Sequence, residues 1–206
     1  MSTWPAVIVL AAGKGSRFTG TEHKLAQILG TSTVLGTTLR NAIASHLQVI
    51  VVTTAKLAYG ARRQVAARDV MVLPEADAPG HGGMGMGRSI SVGVAARPQA
   101  SGWLMLPADM PLVLPTTLQA VARELVHSPV VFAQFKGRRG HPVGFSAELY
   151  SELVALEGDE GARRIVARYP ALGLEVDDPG VLVDVDTLAD LETVRRAQAG
   201  SAAPNW

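Results

Sequence analysis

The chain has 206 residues, of which 48% are hydrophobic and 18% charged, and a formal net charge of +1. That is the composition of one folded domain, not of a disordered or fibrous chain. A charge so near zero offers no bulk attraction to nucleic acid or a membrane surface, so any phosphate-binding charge has to be local. The sequence contains no cysteine, which removes disulfides, a thiolate nucleophile and Cys-ligated zinc, and agrees with a cytoplasmic protein.

In chain order, the first element is the apolar run Ala6 to Ala12. It is far short of the ~20 residues a membrane span needs and has no basic segment before it, so it reads as a buried strand. Leu35, Leu39, Ala42, Ile43 and His46 recur at helical spacing. Continuous apolar strands follow at Val49 to Val52, Val70 to Leu73, Trp103 to Leu106 and Val130 to Ala133, the pattern of strands buried on both faces of a parallel sheet. Pro115 seeds a second helix with its stripe at Leu118, Val121, Ala122, Leu125 and Val126. Lys136 to Gly140 reads as a hairpin tip or mobile loop, Gly158 to Arg168 as helical, and Val181 to Val185 as a late strand. Thr187 and Asp190 form a capping box for a last helix whose apolar face is Leu188, Leu191 and Val194. Alternation of strand and helix at this spacing predicts a layered α/β sandwich on a mostly parallel sheet. One domain is expected over residues 1–206, with its core at about 6–197 and a frayed tail at 200–206.

Ligands of such sheets bind beyond the carboxyl ends of the strands. The loop there reads Leu10-Ala11-Ala12-Gly13-Lys14-Gly15-Ser16-Arg17, with Lys24 further on. Gly13 and Gly15 allow the backbone to turn its N–H groups toward phosphate oxygens, Arg17 offers a planar fork and Lys24 a point charge. The competing reading is a tight strand-to-helix turn with solvated basic residues. A P-loop is absent, and the dinucleotide-binding pattern lacks its third glycine where Phe18 stands, which weighs against a nicotinamide enzyme. Asp109, in Pro107-Ala108-Asp109-Met110-Pro111, arrives at the same edge. It suits a hard cation such as Mg²⁺, or else simply bonds local turn amides. Asp184 and Asp186 alternate, so on a strand they share a face. They precede a helix at the same edge, and the plain reading of Asp186 is that it helps cap that helix. The five histidines lack zinc spacing, and no Gly-x-Ser-x-Gly elbow holds Ser89 or Ser91.

Leu-Ala-Ala-Gly-x-Gly-x-Arg followed by a lysine resembles the motif of nucleotidyltransferases, and within them the MobA/MocA-like molybdenum cofactor branch. Supporting it in order are Gly85-Met86-Gly87-Arg88-Ser89, Pro107 to Pro111, Gly140-His141-Pro142-Val143-Gly144-Phe145 and Asp184-Val185-Asp186-Thr187. The resemblance implies a Rossmann-like three-layer nucleotidyltransferase fold and transfer of a nucleoside monophosphate from an NTP to the terminal phosphate of molybdopterin. It implies that Leu10 to Arg17, Lys24, Pro107 and Ala108 bind the nucleotide. Asp109 and Asp186 would bind Mg²⁺, with Asp184 in support. Arg17, Lys24 and Asp109 would serve catalysis, and Ser89, His141 and Pro142 would meet the acceptor. For His141, shaping the acceptor pocket and a purely structural role stand level. Members resembling the cytidylyltransferases carry Ala-Ala-Gly after the first strand, so Ala11-Ala12-Gly13 implies CTP; a molybdoenzyme client follows from that product. The alternatives are GTP, another phosphate acceptor such as a sugar or alcohol phosphate, or a non-catalytic protein that binds and delivers molybdenum cofactor. The segment Phe18 to His23 resembles a small insertion, Leu188 replaces the family's usual proline, and the glycines of residues 81–87 suggest a mobile lip over the acceptor.

Overall fold

A computed structural model describes residues 4–15, 18–19, 22–74 and 85–201, the last two by backbone alone. In chain order the elements are β1 (Ala6–Ala11), β2 (Ile28–Leu29), β3 (Ser32–Thr33), α1 (Val34–Ala44), β4 (Gln48–Thr54), α2 (Ala55–Arg62), β5 (Val70–Leu73), α3 (Met86–Ala95), β6 (Gly102–Pro107), α4 (Pro115–Glu124), β7 (Val130–Phe135), β8 (Arg138–Ser146), α5 (Tyr150–Val154), α6 (Arg163–Arg168), β9 (Ala171–Glu175) and α7 (Leu188–Ser201). Seven strands form one sheet in the order β5-β4-β1-β6-β8-β7-β9. Only β8 runs against its neighbours, while β1, β4, β5 and β6 pair in parallel, as do β7 and β9.

Alternation along the strands fills two cores. Val7, Val9, Leu104 and Leu106 face α1, α2, α4 and α7, while Ile8, Trp103, Met105 and Phe145 face α3, α5 and α6. Trp103 is the largest fully buried side chain, and its indole N–H donates to the carbonyl of Arg97 at 3.0 Å, so its polar edge is satisfied without water. Gly93 explains how α3 lies so close to β1. A Cβ there would stand 2.3 Å from the Ile8 side chain. The result is the expected three-layer sandwich on a mostly parallel sheet, and every predicted strand up to Ala133 is present.

Four expectations need correction. Val181 to Val185 is not a strand. Pro179 starts a 3₁₀ turn over Pro179–Leu182, and the Asp178 carboxylate caps it by accepting from Gly180 N. The helix expected over Gly158 to Arg168 begins only at Arg163, because Gly158 and Gly161 take φ of +66° and +59°, outside the right-handed region. The first helix stops before His46, whose φ of +59° places it in the left-handed region just past the helix end. Val126 lies beyond α4 and is 82% exposed, so it is not part of the buried stripe.

The hairpin at 136–140 is confirmed. Lys136 and Gly137 both have positive φ, +51° and +71°, and form a two-residue turn whose twist suits the flanking strands. Residues 81–84 of the glycine-rich stretch and 202–206 of the tail lie outside the described residues.

Candidate active site

The sheet's switch from β1 to its two parallel neighbours, β4 and β6, places the end of β1 beside the end of β6. There Ala108 N donates to the Leu10 carbonyl at 3.1 Å, tying the two loops together. Gly15 has φ of +62°, a conformation that favours glycine, and nothing lies within 4 Å of a Cβ built at Gly13. The loop is therefore open where a ligand would approach. His23 braces it from behind. Its Nε2–H donates to the Gly13 carbonyl at 3.1 Å while Nδ1 accepts from Leu25 N at 3.2 Å, an arrangement that one neutral tautomer satisfies. Sequence reasoning passed over His23 because it sat in an apparent insertion. Ser16 and Arg17 lie outside the described residues.

Beyond β6, α1 holds the carboxylate-bearing turn. Thr38 donates its hydroxyl to the Ala108 carbonyl at 2.8 Å, and Asn41 donates to the carbonyls of Pro111 and Val113 at 3.0 and 3.1 Å. The late segment is clamped on the other side, with Val185 N donating to the Asp109 carbonyl at 2.9 Å. Thr187 and Asp190 make the expected capping box: Thr187 N donates to Asp190 Oδ2 at 2.7 Å and Asp190 N to Thr187 Oγ1 at 3.2 Å. Asp186 gives that cap its backbone N–H, at 3.2 Å from Asp190 Oδ2.

Its side chain turns to Lys24. The Lys24 ammonium, on a 3₁₀ turn over Lys24–Ala26, donates to Asp109 Oδ2 and to Asp186 Oδ1, each at 2.6 Å. Burial works to lower the Lys24 pKa, but the charges and hydrogen bonds of Asp109 and Asp186 outweigh it and hold the group above its ordinary value, so it stays cationic. Asp109, Asp184 and Asp186 bring one oxygen each within 4.8 Å of one another. The two residues expected to converge by strand alternation thus do so from an extended, unpaired segment. Desolvation, with Asp186 and Asp109 alongside, pushes the Asp184 carboxyl above the usual carboxylate value.

Asp109 Oδ1 is buried and has no hydrogen-bond partner among the described residues. An orphaned anionic oxygen is costly unless something cationic reaches it. Three converging carboxylates and that oxygen make a donor set compatible with a hard divalent cation.

His141 is half-buried on β8. Desolvation lowers its pKa and Arg139 lowers it further, against the opposing pull of Asp109. The imidazole is therefore neutral near pH 7. Ser89 is buried in the first turn of α3 and makes no hydrogen bond to the carboxylates among the described residues. The glycines before it have a packing reason. Gly87 N donates to the Gly158 carbonyl at 2.9 Å, and a Cβ at Gly85 or Gly87 would stand 2.2 or 2.5 Å from the backbone of residues 157–158. Among the described residues no helix is long and apolar enough to cross a membrane.

A Rossmann-like sheet with a glycine loop after its first strand and carboxylates at the same edge defines the class of nucleotidyltransferases. The chain belongs to the MobA-like NTP transferase domain family, whose profile matches residues 7–172. It is similar to the purine catabolism protein PucB of Bacillus subtilis (strain 168), with 31% identity over 207 residues, covering 93% of this chain and 96% of PucB. The crystal structure of Rv0371c from Mycobacterium tuberculosis H37Rv superposes with a TM-score of 0.80 at 29% identity, covering 95% of this chain and 99% of that one. A manganese complex of Rv0371c superposes with a TM-score of 0.75 at 29% identity, covering 95% and 100%.

Proposed function

We propose that the protein is a cytidylyltransferase that moves CMP from CTP to the terminal phosphate of molybdopterin. The observation that carries this reading is the meeting of Lys24, Asp109, Asp184 and Asp186 at the sheet edge beside the open Gly13 loop. A phosphate oxygen of the acceptor attacks the α-phosphorus of CTP. A new P–O bond forms as the bond to the β-phosphate oxygen breaks, and pyrophosphate leaves with the electron pair. Such a reaction needs positioning and charge neutralisation more than covalent help from the protein.

In this reading the backbone of Ala11, Ala12 and Gly13 meets the base, with Leu10, Pro107 and Ala108 walling the nucleotide and Lys14, Gly15 and Ser16 facing its phosphates. Lys24 neutralises charge while keeping Asp109 and Asp186 in register. Asp109 and Asp186, with Asp184 at the rim, would hold Mg²⁺, which supplies positive charge to the triphosphate. That the similar protein Rv0371c forms a complex with manganese supports the use of a divalent ion. Neutral His141, with Pro142 and Ser89, shapes the acceptor side. The name of PucB, a purine catabolism protein, supports a product that serves a molybdoenzyme client of purine breakdown. The protein works in the cytoplasm, as one domain, without nucleic acid or membrane.

The test is mass spectrometry of the product formed from molybdopterin with each NTP in turn. CMP transfer is expected, with kcat/KM for CTP above that for GTP by about 10–200-fold, the span of a discrimination worth ~1–3 kcal/mol. Equal or reversed preference in a competition assay removes the cytidylyl assignment. Arg17→Lys is expected to lose activity although the charge remains, because an ammonium lacks the two-pronged grip on phosphate. A turnover number near wild type would show Arg17 to be a solvated surface residue.

A further inference from the structure

The β7–β8 hairpin carries Lys136, Arg138 and Arg139, which the reaction above leaves unused. Its shape is fixed by more than its turn. Glu175, at the end of β9, accepts from Lys136 N, from Gly137 N at 3.3 Å and from Gln134 Nε2 at 3.0 Å, so this nearby carboxylate is engaged with the hairpin itself.

Arg139 and His141 are two residues apart on β8, and Arg139 reaches the ring of Phe132, which packs with Val143 and Phe145 on the face covered by α3 and α5. Gly140 between them turns the other way, where a Cβ would stand 2.2 Å from the Val181 carbonyl. Met105 on β6 pairs with Val143 on β8. Beyond that pair, His141 lies within electrostatic reach of both Asp109 and Arg139. The hairpin therefore flanks the carboxylate site on the acceptor side.

The Arg139 guanidinium lies over the Phe132 ring, 4.4 Å from its centroid. It is exposed, and among the described residues no ion pair joins it to a carboxylate. A guanidinium oriented by an aromatic face keeps its N–H edge free for a planar or tetrahedral anion, and loses little freedom when that anion arrives.

We propose that Arg139, laid on Phe132, grips the phosphate monoester of the acceptor and sets the protein's affinity for it. The inference rests on the reading of the site as a nucleotidyltransferase with a phosphorylated acceptor. It separates the two substrates by residue, with the Gly13 loop for the nucleotide and the β7–β8 hairpin for the acceptor.

Isothermal titration of molybdopterin, and separately of CTP with Mg²⁺, into the wild type and the variants R139M, R139K and F132L tests it. R139M is expected to weaken molybdopterin binding by about tenfold or more while CTP stays within about twofold. R139K should recover only part of the loss, and F132L should fall between, because the charge survives there but its orientation does not. Molybdopterin affinity in R139M within about threefold of wild type overturns the proposal, and so does a parallel fall in CTP affinity. A wild type that binds CTP but not molybdopterin overturns the acceptor reading itself, and this assignment with it.

Discussion

Asp109→Asn is expected to cut turnover by on the order of 100-fold or more while the protein stays folded. The carboxylate touches Lys24 through Oδ2 and presents a buried Oδ1 that has no hydrogen-bond partner among the described residues. An amide of the same shape removes the negative charge that both the ammonium and a hard cation require. Asp186→Asn should behave alike, since its Oδ1 meets the same ammonium at the same 2.6 Å. If both act through one metal site, the double variant loses much less than the product of the single losses. A role for Asp186 in the helix cap alone predicts another pattern: a lower melting temperature, equivalent to roughly 0.5–2 kcal/mol, and an unchanged Mg²⁺ titration. The cap is built by the side chains of Thr187 and Asp190, which favours the first pattern. Mg²⁺ dependence and melting curves on the three variants decide it. Retained activity with unaltered Mg²⁺ dependence in Asp109→Asn would sink the metal-site reading.

Asp178→Ala should have the largest effect on stability away from the site. Asp178 is 2% exposed. Its carboxylate accepts from Leu114 N at 2.9 Å and Thr117 Oγ1 at 2.6 Å, at the start of α4, and from Gly180 N at 2.9 Å in the following turn. One side chain thus joins two elements that meet far from each other in sequence. Removing it strands a buried hydroxyl and two backbone donors, a loss of about 3–5 kcal/mol. In a chain of this size that lowers the melting temperature by about 10 °C. Asp178→Asn keeps one acceptor oxygen and should lose about half as much. A melting temperature for Asp178→Ala within about 2 °C of wild type would show that water replaces the carboxylate at little cost.

What the sequence made legible follows from how each element is stabilised. Strands buried on both faces, such as Ala6–Ala11 and Gly102–Pro107, announce themselves as unbroken apolar runs. The helix Met86–Ala95 does not, because Gly87 and Gly93 are poor helix formers that are there to let backbones approach, a need set by Glu157 and Ile8 far away in the chain. Ala171–Glu175 is equally silent: an edge strand, exposed along much of its length and interrupted by Gly173, carries no apolar run. The meeting of Lys24, Asp109 and Asp186 could be anticipated from motif order, but not that the ammonium bridges the two carboxylates. Asp178 was missed because its partners, Leu114 and Thr117, lie 64 and 61 positions away, and nothing local distinguishes it from Asp177 beside it.

The clamp between Val185 and Asp109 has a consequence for biosynthesis. Every strand of the large sheet has been made once Glu175 is incorporated, yet Asp178, Asp184 and Asp186 all follow it. A nascent chain can therefore assemble its sheet while Lys24 has just Asp109 of its two carboxylate partners among the described residues. The last carboxylates of the cluster arrive with the segment that also ties Arg195 of α7 to the Ile28 carbonyl at 2.8 Å. The cluster is thereby completed only after the sheet, and a chain released before Asp184 would carry the open glycine loop with Asp109 as the single carboxylate of the three.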